Sequence, residues 1–439
     1  MCLPWAETDR VGYAIAASAE CDDWDNLRGG LECLPNAMQN VVIDEPYRFV
    51  PPVYSEWWPV LLRPYLRRYL RKAHGVHSVE CRHVERLRAS RAARHSIMLA
   101  PNHCRMSDPL VLGVLGIEAD CHPMAMASWH LFKQSRFQTF MIRRMGAFSV
   151  YREGNDRQAI DTAIDILVEG RRPLIIFPEG AITRHNDLIE EMMDGPSFIA
   201  RQAAKRLKKQ NSTNEVVIHP VAIRYAFQGD LATTLQPVLE ELELRFTWQP
   251  QKHLTLVERI DRIGHALLAL KEVEFLGAPR SGNPFERAEH LVQEVLTRLE
   301  TAWQIKDTSG SVIARVKRLR TAILADMIAG NVTAEERERR WRDLAACYYA
   351  QQMSHYPRDY ILREKNLPER VVETVERFEE DFTDHMRVHE PFHAVIQVGE
   401  AIPVGTQRIR DANSDPVMAE VRRQLQAMIN ELAAERTPV

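Results

Sequence analysis

Nowhere in the 439 residues do 18 apolar residues run together, so no membrane-spanning helix is expected. Cysteine is scarce: Cys2, Cys21, Cys33, Cys81, Cys104, Cys121 and Cys347 are odd in number, scattered and without a C-x-x-C pair. That spacing argues against a disulfide frame or a zinc knuckle and suits a reducing cytoplasm. An excess of one charge is missing too, since 57 Lys and Arg stand against 60 Asp and Glu for a net charge of -3. There is no overall basic field to attract nucleic acid. The stretch "MCLPWAETDRVGYAIAASAECDDWD" has early acids and no basic n-region, so export is not expected. No repeat period is evident.

What is present is a 45% hydrophobic chain, enough for a large core and one big domain with an appendage. Residues 1–55, rich in Asp, Gly, Pro and Asn, read as an extended arm without assigned function. In "WWPVLLRPYLRRYLRKAHG", Trp58, Leu61, Leu62, Tyr65, Leu66, Tyr69 and Leu70 recur at helical spacing, with Arg63, Arg67, Arg68, Arg71 and Lys72 opposite. This basic amphipathic helix either packs its stripe on the core or lies in a lipid interface. Short β-branched runs at 96–100, 146–151, 173–177 and 215–225 then alternate with helical patterns at 109–117, 128–144, 155–169 and 196–209. Such alternation predicts an α/β fold, a mainly parallel twisted sheet covered by helices. Residues 56–228 form this core, 229–389 read as a large helical insertion, and 390–439 return as a final strand and helix that complete the core.

The stretch "MLAPNHCRMSDPLVLGVLG" raises the chemical question. If 96–100 is a buried strand, "PNHCRMS" is the turn at its end, with Asp108 as an N-cap and Pro109 at the first helical position. Residues five apart on one helix point about 140° from each other, so His103 can meet Asp108 only from the turn. Asp108 would then accept the Nδ1 proton of His103 and leave Nε2 as a free base, the equipment for deprotonating a hydroxyl. Cys104 is set aside as a nucleophile because adjacent side chains rarely project toward each other and no second base precedes it. Arg152, "PEGAITR" and Arg224 also fall at or just beyond strand ends, where open α/β sheets place ligands. Glu179 is not expected to be buried unpaired, and Gly180 permits close backbone approach.

With "NHCRMSD" (102–108), "GAFSVYRE" (146–153), "FPEGAITR" (177–184) and "HPVAIR" (219–224) in order, the sequence resembles the glycerolipid acyltransferases typified by 1-acylglycerol-3-phosphate acyltransferase. The resemblance covers about 57–228 and 392–435, and the helical insertion is similar to that of a soluble bacterial subgroup. It implies His103 as general base, Asp108 as its orienting partner, and Asn102, Arg152, Glu179, Gly180 and Arg184 as substrate-binding residues. Amides at the start of the helix at 109–117 are candidate oxyanion donors. The implied donor is an acyl thioester, acyl-CoA or acyl carrier protein, with no other cofactor and no metal. The implied partners are a lysophospholipid acceptor and a membrane surface, reached peripherally from the cytoplasmic side, and no nucleic acid. Two departures bear on the acceptor: Arg184 stands two places later than in the usual Phe-Pro-Glu-Gly-Thr-Arg, and Met193 and Asp194 precede Gly195 where many members write Lys-x-Gly. They leave glycerol 3-phosphate or another lysolipid as alternatives. A non-catalytic membrane scaffold and a metallohydrolase using His103, Asp108, Glu179 and His185 are the rival classes.

Overall fold

Gly75 is where helix gives way to sheet. At φ 63° it closes α1 (Trp57–His74) with a left-handed cap, its amide bonding back to the Arg71 carbonyl at 3.2 Å, and a Cβ there would lie 2.7 Å from Val388 Cγ1. The computed structural model describes residues 41–154, 156–356, 360, 366–383, 387–407 and 415–436. The first 40 residues of the arm expected at 1–55 lie outside the described residues. Its remainder runs without regular structure beside Ser149: the Val50 amide donates to Ser149 Oγ at 2.8 Å, and the Ser149 amide donates to the Val50 carbonyl at 3.0 Å.

From α1 the chain enters β1 (Val76–Arg82), α2 (Val84–Ala92), β2 (Ser96–Pro101), α3 (Asp108–Glu118), β3 (Met124–Ser128), a 3-10 turn (Trp129–Phe132), α4 (Arg136–Arg144) and β4 (Ala147–Val150). It continues through α5 (Arg157–Glu169), β5 (Leu174–Ile175), α6 (Gly195–Lys209) and β6 (Val216–Phe227). Then come α7 (Leu231–Arg245), α8 (Leu256–Leu276), α9 (Pro284–Ala302), α10 (Val312–Ile328), α11 (Ala334–Ser354) and α12 (Pro368–Thr383). β7 (Phe392–Val398), β8 (Ile402–Pro403) and α13 (Pro416–Ala434) finish the fold.

The strands form one eight-stranded sheet ordered β1-β7-β6-β2-β5-β3-β4, with β8 also beside β6. β2 to β6 are mutually parallel, while β7 runs antiparallel to β6 and parallel to β1. This is the mostly parallel, helix-flanked sheet that the alternating pattern predicts. One core cluster joins α3, α7 and α12 to the sheet, a second joins α5, α6 and α13, and a third lies among α8 to α11. From the long helical segment, α12 therefore packs directly on β6, with α7 against α12.

Three local readings change. The helix expected at 128–144 is a strand end, a 3-10 turn and a separate helix, because Ser135 starts α4 afresh by accepting the Gln138 amide at 3.0 Å. β1, α2 and most of β3 carry no clear period in the sequence, and their pairing is decided by distant strands. The final strand expected within 390–439 breaks into β7 and β8 at Gly399, whose amide bonds the Pro220 carbonyl at 2.7 Å. α1 buries only part of its apolar stripe: Trp58, Leu62, Leu66 and Leu70 are partly or fully buried, whereas Trp57, 85% exposed, and Leu61, Tyr65 and Tyr69 remain in solvent. Among the described residues, no helix is long and apolar enough to cross a membrane.

Phe392, on β7, is wholly buried against the Tyr225 and Phe227 rings. Phe392→Ala is expected to cost about 3–5 kcal/mol of unfolding free energy. Urea denaturation of the full chain checks this, and a loss below about 1 kcal/mol would show that β7 is not part of the core.

Candidate active site

β2 is buried at all six positions and ends in the middle of the sheet, so the turn that follows must satisfy its polar groups internally. Asn102 does this by imitating a peptide unit. Its Nδ2 donates to the Ile223 carbonyl at 2.9 Å and its Oδ1 accepts the Ile223 amide at 2.7 Å, extending the β2–β6 ladder by one step. Both ends of that amide are thus occupied by β6.

The next residue, His103, is held at every point but one. Its amide donates to Glu179 Oε1 at 2.8 Å, and its carbonyl accepts the Thr183 amide at 2.8 Å and the Thr183 hydroxyl at 3.1 Å. Its ring stacks on Phe177 with centroids 4.0 Å apart, and Nδ1 lies 2.8 Å from Asp108 Oδ2. Nε2 has no hydrogen-bond partner among the described residues, and the side chain retains 11% exposure. With Nδ1 donating to the carboxylate, Nε2 carries the lone pair.

Asp108 is the first residue of α3 rather than its cap, which is Ser107, and its carboxylate turns back into the preceding loop. Oδ2 accepts the Arg105 amide at 3.0 Å as well as His103, while Oδ1 accepts the Tyr225 hydroxyl at 2.7 Å and the Cys104 thiol at 3.8 Å. Ser107 Oγ donates to that same Tyr225 oxygen at 2.8 Å, so a relay of hydroxyls ends on the carboxylate. Burial, reinforced by the Asp108 charge, pushes the Cys104 thiol well above its ordinary range and keeps it protonated. The Leu110 and Val111 amides are both taken by the Ser107 carbonyl, so the start of α3 does not supply the oxyanion donors expected there.

Glu179 is buried and spends its two oxygens on backbone, Oε1 on His103 and Oε2 on the Glu190 amide at 2.9 Å. Gly180 follows at φ 71°, closely approached by the Met193 side chain, which stands where Lys-x-Gly is common. Arg184 forms an ion pair with Glu380 of α12, which turns its guanidinium toward the helical segment. Arg224 is buried against Asp187 at 2.9 Å. Arg152 stands just past β4, three strands from β2, a separation of roughly 14 Å along the sheet. The structure therefore brings His103, Asp108, Asn102, Glu179 and Gly180 together, pairs Arg184 with Glu380 and sets Arg152 just past the end of β4.

Sequence reasoning placed α12 within the helical insertion but missed that it packs against the site. Glu369, Glu373, Glu376 and Glu380 recur at spacings of four, three and four, one helical face, of which Glu369, Glu373 and Glu376 are buried and Glu380 is half-buried. Glu376 grips Arg105, the second residue after His103, in two-point contact at 2.9 and 3.2 Å, and the same guanidinium lies 4.1 Å above the Phe392 ring. Asn186 and the Tyr360 hydroxyl, at 2.6 Å, hold Glu373, whose burial pushes its carboxyl up to about 8. The acid spacing was a visible signal, but nothing local said what it would meet. A separate pocket of about 140 Å³ lies among α8, α9, α11 and α12, with Leu267, Ala288, Met353 and Phe378 in its walls, and neither His103 nor Asp108 lines it. Among the described residues, no group of three or more His, Cys, Asp and Glu side chains is placed to hold a metal ion. His185 is instead hydrogen-bonded to Glu190 at 3.2 Å.

Residues 78–224 match the family model described as Acyltransferase. The matched region runs from β1 to the Arg224 position of β6 and contains His103, Asp108, Arg152, Glu179 and Arg184. It supports acyl transfer in general, by an O-acyltransferase with an acyl donor and an acceptor substrate. No curated protein matches the chain in sequence.

Burial raises the Glu179 carboxyl from 4.5 to about 7, against the pull of the two backbone amides. An acid raised on folding stabilises the folded state below its unfolded value, and that contribution is lost as pH climbs through the folded value. The Glu179 share of stability is therefore expected to fall between about pH 4.5 and 7. In Glu179→Gln, the slope of Tm against pH across this window should be shallower than in the parent. Identical slopes would mean that Glu179 titrates as an ordinary exposed acid.

Proposed function

We propose that this protein transfers a fatty acyl group from an acyl thioester, acyl-CoA or acyl carrier protein, to the hydroxyl of a lysophospholipid, with 1-acylglycerol 3-phosphate as acceptor and phosphatidate as product. Glycerol 3-phosphate or another lysolipid would use the same chemistry. The observation that carries this reading is the His103–Asp108 pair, an imidazole fixed at Nδ1 and free at Nε2. Nε2 takes the proton of the acceptor hydroxyl as that oxygen attacks the thioester carbonyl. The tetrahedral intermediate then expels the thiolate, which recovers the proton from the imidazolium. No covalent acyl-enzyme forms.

His103→Ala should lower the acyl-transfer rate by about 10²- to 10⁴-fold while leaving the fold intact. Asp108→Asn should also slow turnover, because the amide permits the wrong imidazole tautomer. A labelled acyl thioester supplied with lysophosphatidate measures both. Near-normal turnover by folded His103→Ala would remove the mechanism.

A lysolipid lies in a bilayer surface, and the exposed face of α1 supports a peripheral seat on the cytoplasmic side of the membrane. Trp57, Leu61 and Tyr65 are continued by Phe137, 74% exposed, and Phe140 on α4. Trp58 touches Phe140 edge-on at 5.4 Å, and Arg144 lies 3.7 Å above the Phe140 ring. This apolar patch would enter the acyl boundary while Arg63, Arg67, Arg68, Arg71 and Lys72 meet anionic headgroups, at roughly 1 kcal/mol each. Co-sedimentation with anionic vesicles should be salt-sensitive and much reduced in an Arg67→Glu, Arg68→Glu, Arg71→Glu variant. Equal recovery of parent and variant would assign the helix to packing alone.

A further inference from the structure

Buried arginines in this fold are paired. Arg105, Arg201, Arg259 and Arg315 each grip a carboxylate in two-point contact, as burial of a guanidinium demands. Arg320 on α10 has no such partner among the described residues. It is 7% exposed, its Nε is occluded without a hydrogen-bond partner, and among the described residues it forms no ion pair. The loop after β4 lies against it: Thr321 Oγ1 donates to the Glu153 carbonyl at 2.6 Å, which brings Arg320 beside Arg152 and Glu153. Arg152 likewise has no hydrogen-bond or ion-pair partner among the described residues.

Two unpaired guanidiniums in one half-dry place repel each other. The one acid between them, Glu153, is buried with Oε1 unpartnered and makes no salt bridge to either. Lys317, exposed one turn earlier on α10, adds a further positive charge nearby. Burial lowers both guanidiniums below their ordinary range, and the Arg320 charge lowers Arg152 further. His130 faces the same charge, and its own burial together with Arg152 drops it to about 4, so it stays neutral near pH 7. Such an excess of fixed, desolvated positive charge is balanced when a doubly charged oxyanion sits across both forks.

We infer that Arg320, supplied by the helical segment outside the matched region, joins Arg152 to form a binding site for a substrate phosphoryl group. The inference rests on the acyltransferase reading for its role in turnover but not for the binding itself. Two substrates carry the required chemistry. The acceptor's phosphate is only a few bonds from the reacting hydroxyl, whereas the donor's phosphate lies at the far end of the pantetheine arm. The separation between the ends of β4 and β2 suits the longer reach.

The test uses the full chain, with inorganic phosphate as probe in a calorimetric titration and chloride as the control anion. The parent should bind phosphate, and Arg320→Ala and Arg152→Ala should each weaken it on the order of 10- to 100-fold, with Arg320→Lys intermediate because it keeps the charge and loses the fork. Kinetics then separate the sources. A rise in KM for acyl-CoA, with S-acylpantetheine unaffected, assigns the site to the donor. A rise in KM for lysophosphatidate, with a phosphate-free monoacylglycerol unaffected, assigns it to the acceptor. Absence of phosphate binding in the parent, or undiminished binding by folded Arg320→Lys and Arg152→Ala, overturns the inference. A parent that binds phosphate but transfers no acyl group to any acceptor refutes the proposed function and leaves the site standing.

Discussion

Burying the Asp108 carboxylate, with none of its surface exposed, is the constraint on which the rest of the site depends. An ionised group taken out of water needs donors on every side. Here they come from His103, the Arg105 amide, the Tyr225 hydroxyl and the Cys104 thiol. Those donors belong to the turn after β2 and to β6. Satisfying one carboxylate therefore fixes the two central strands against each other and sets the imidazole as a consequence. The ring has little freedom left.

The long helical segment serves the same constraint from outside. α12 lays its row of glutamates along the site, and Glu376 holds Arg105 while Arg377 reaches the carbonyls of Thr183 and His355. Thr183 in turn holds the His103 carbonyl. The turn that carries His103 is thus held by an acid from a part of the chain far away in sequence, through the Arg105–Glu376 pair. Arg320 has no such partner among the described residues, and it lies beside the loop after β4.

Much of this was legible in the sequence where the physics is local. The apolar runs of β2 and β6, the turn at Asn102 and the five-residue step from His103 to Asp108 each follow from short-range pattern. Illegible were features settled by partners remote in the chain. Asp108 reads as a cap because Pro109 follows it, yet its oxygens are claimed by Tyr225 and the turn. Arg184 stands as a substrate-binding residue by resemblance, and in the fold it is paired with Glu380. Asn102 and Glu179 read as substrate contacts, and in the fold they spend their polar atoms on Ile223 and on the His103 and Glu190 amides. The stripe on α12 shows that an acidic helical face can be an interior face once it meets arginines.

One feature of the sheet bears on how such a molecule can be made. β7 is the strand that joins β1 to β6, and it is synthesised only after six helices have followed β6. Until then β1 has no neighbour, and the Val221–Phe227 half of β6, buried throughout in the finished protein, is an open edge. The helical segment, with its short-range contacts, can form in the meantime. A nascent chain thus carries the whole His103–Asp108 turn on a sheet that is torn along one side, and a fragment ending at Arg224 would keep that tear permanently.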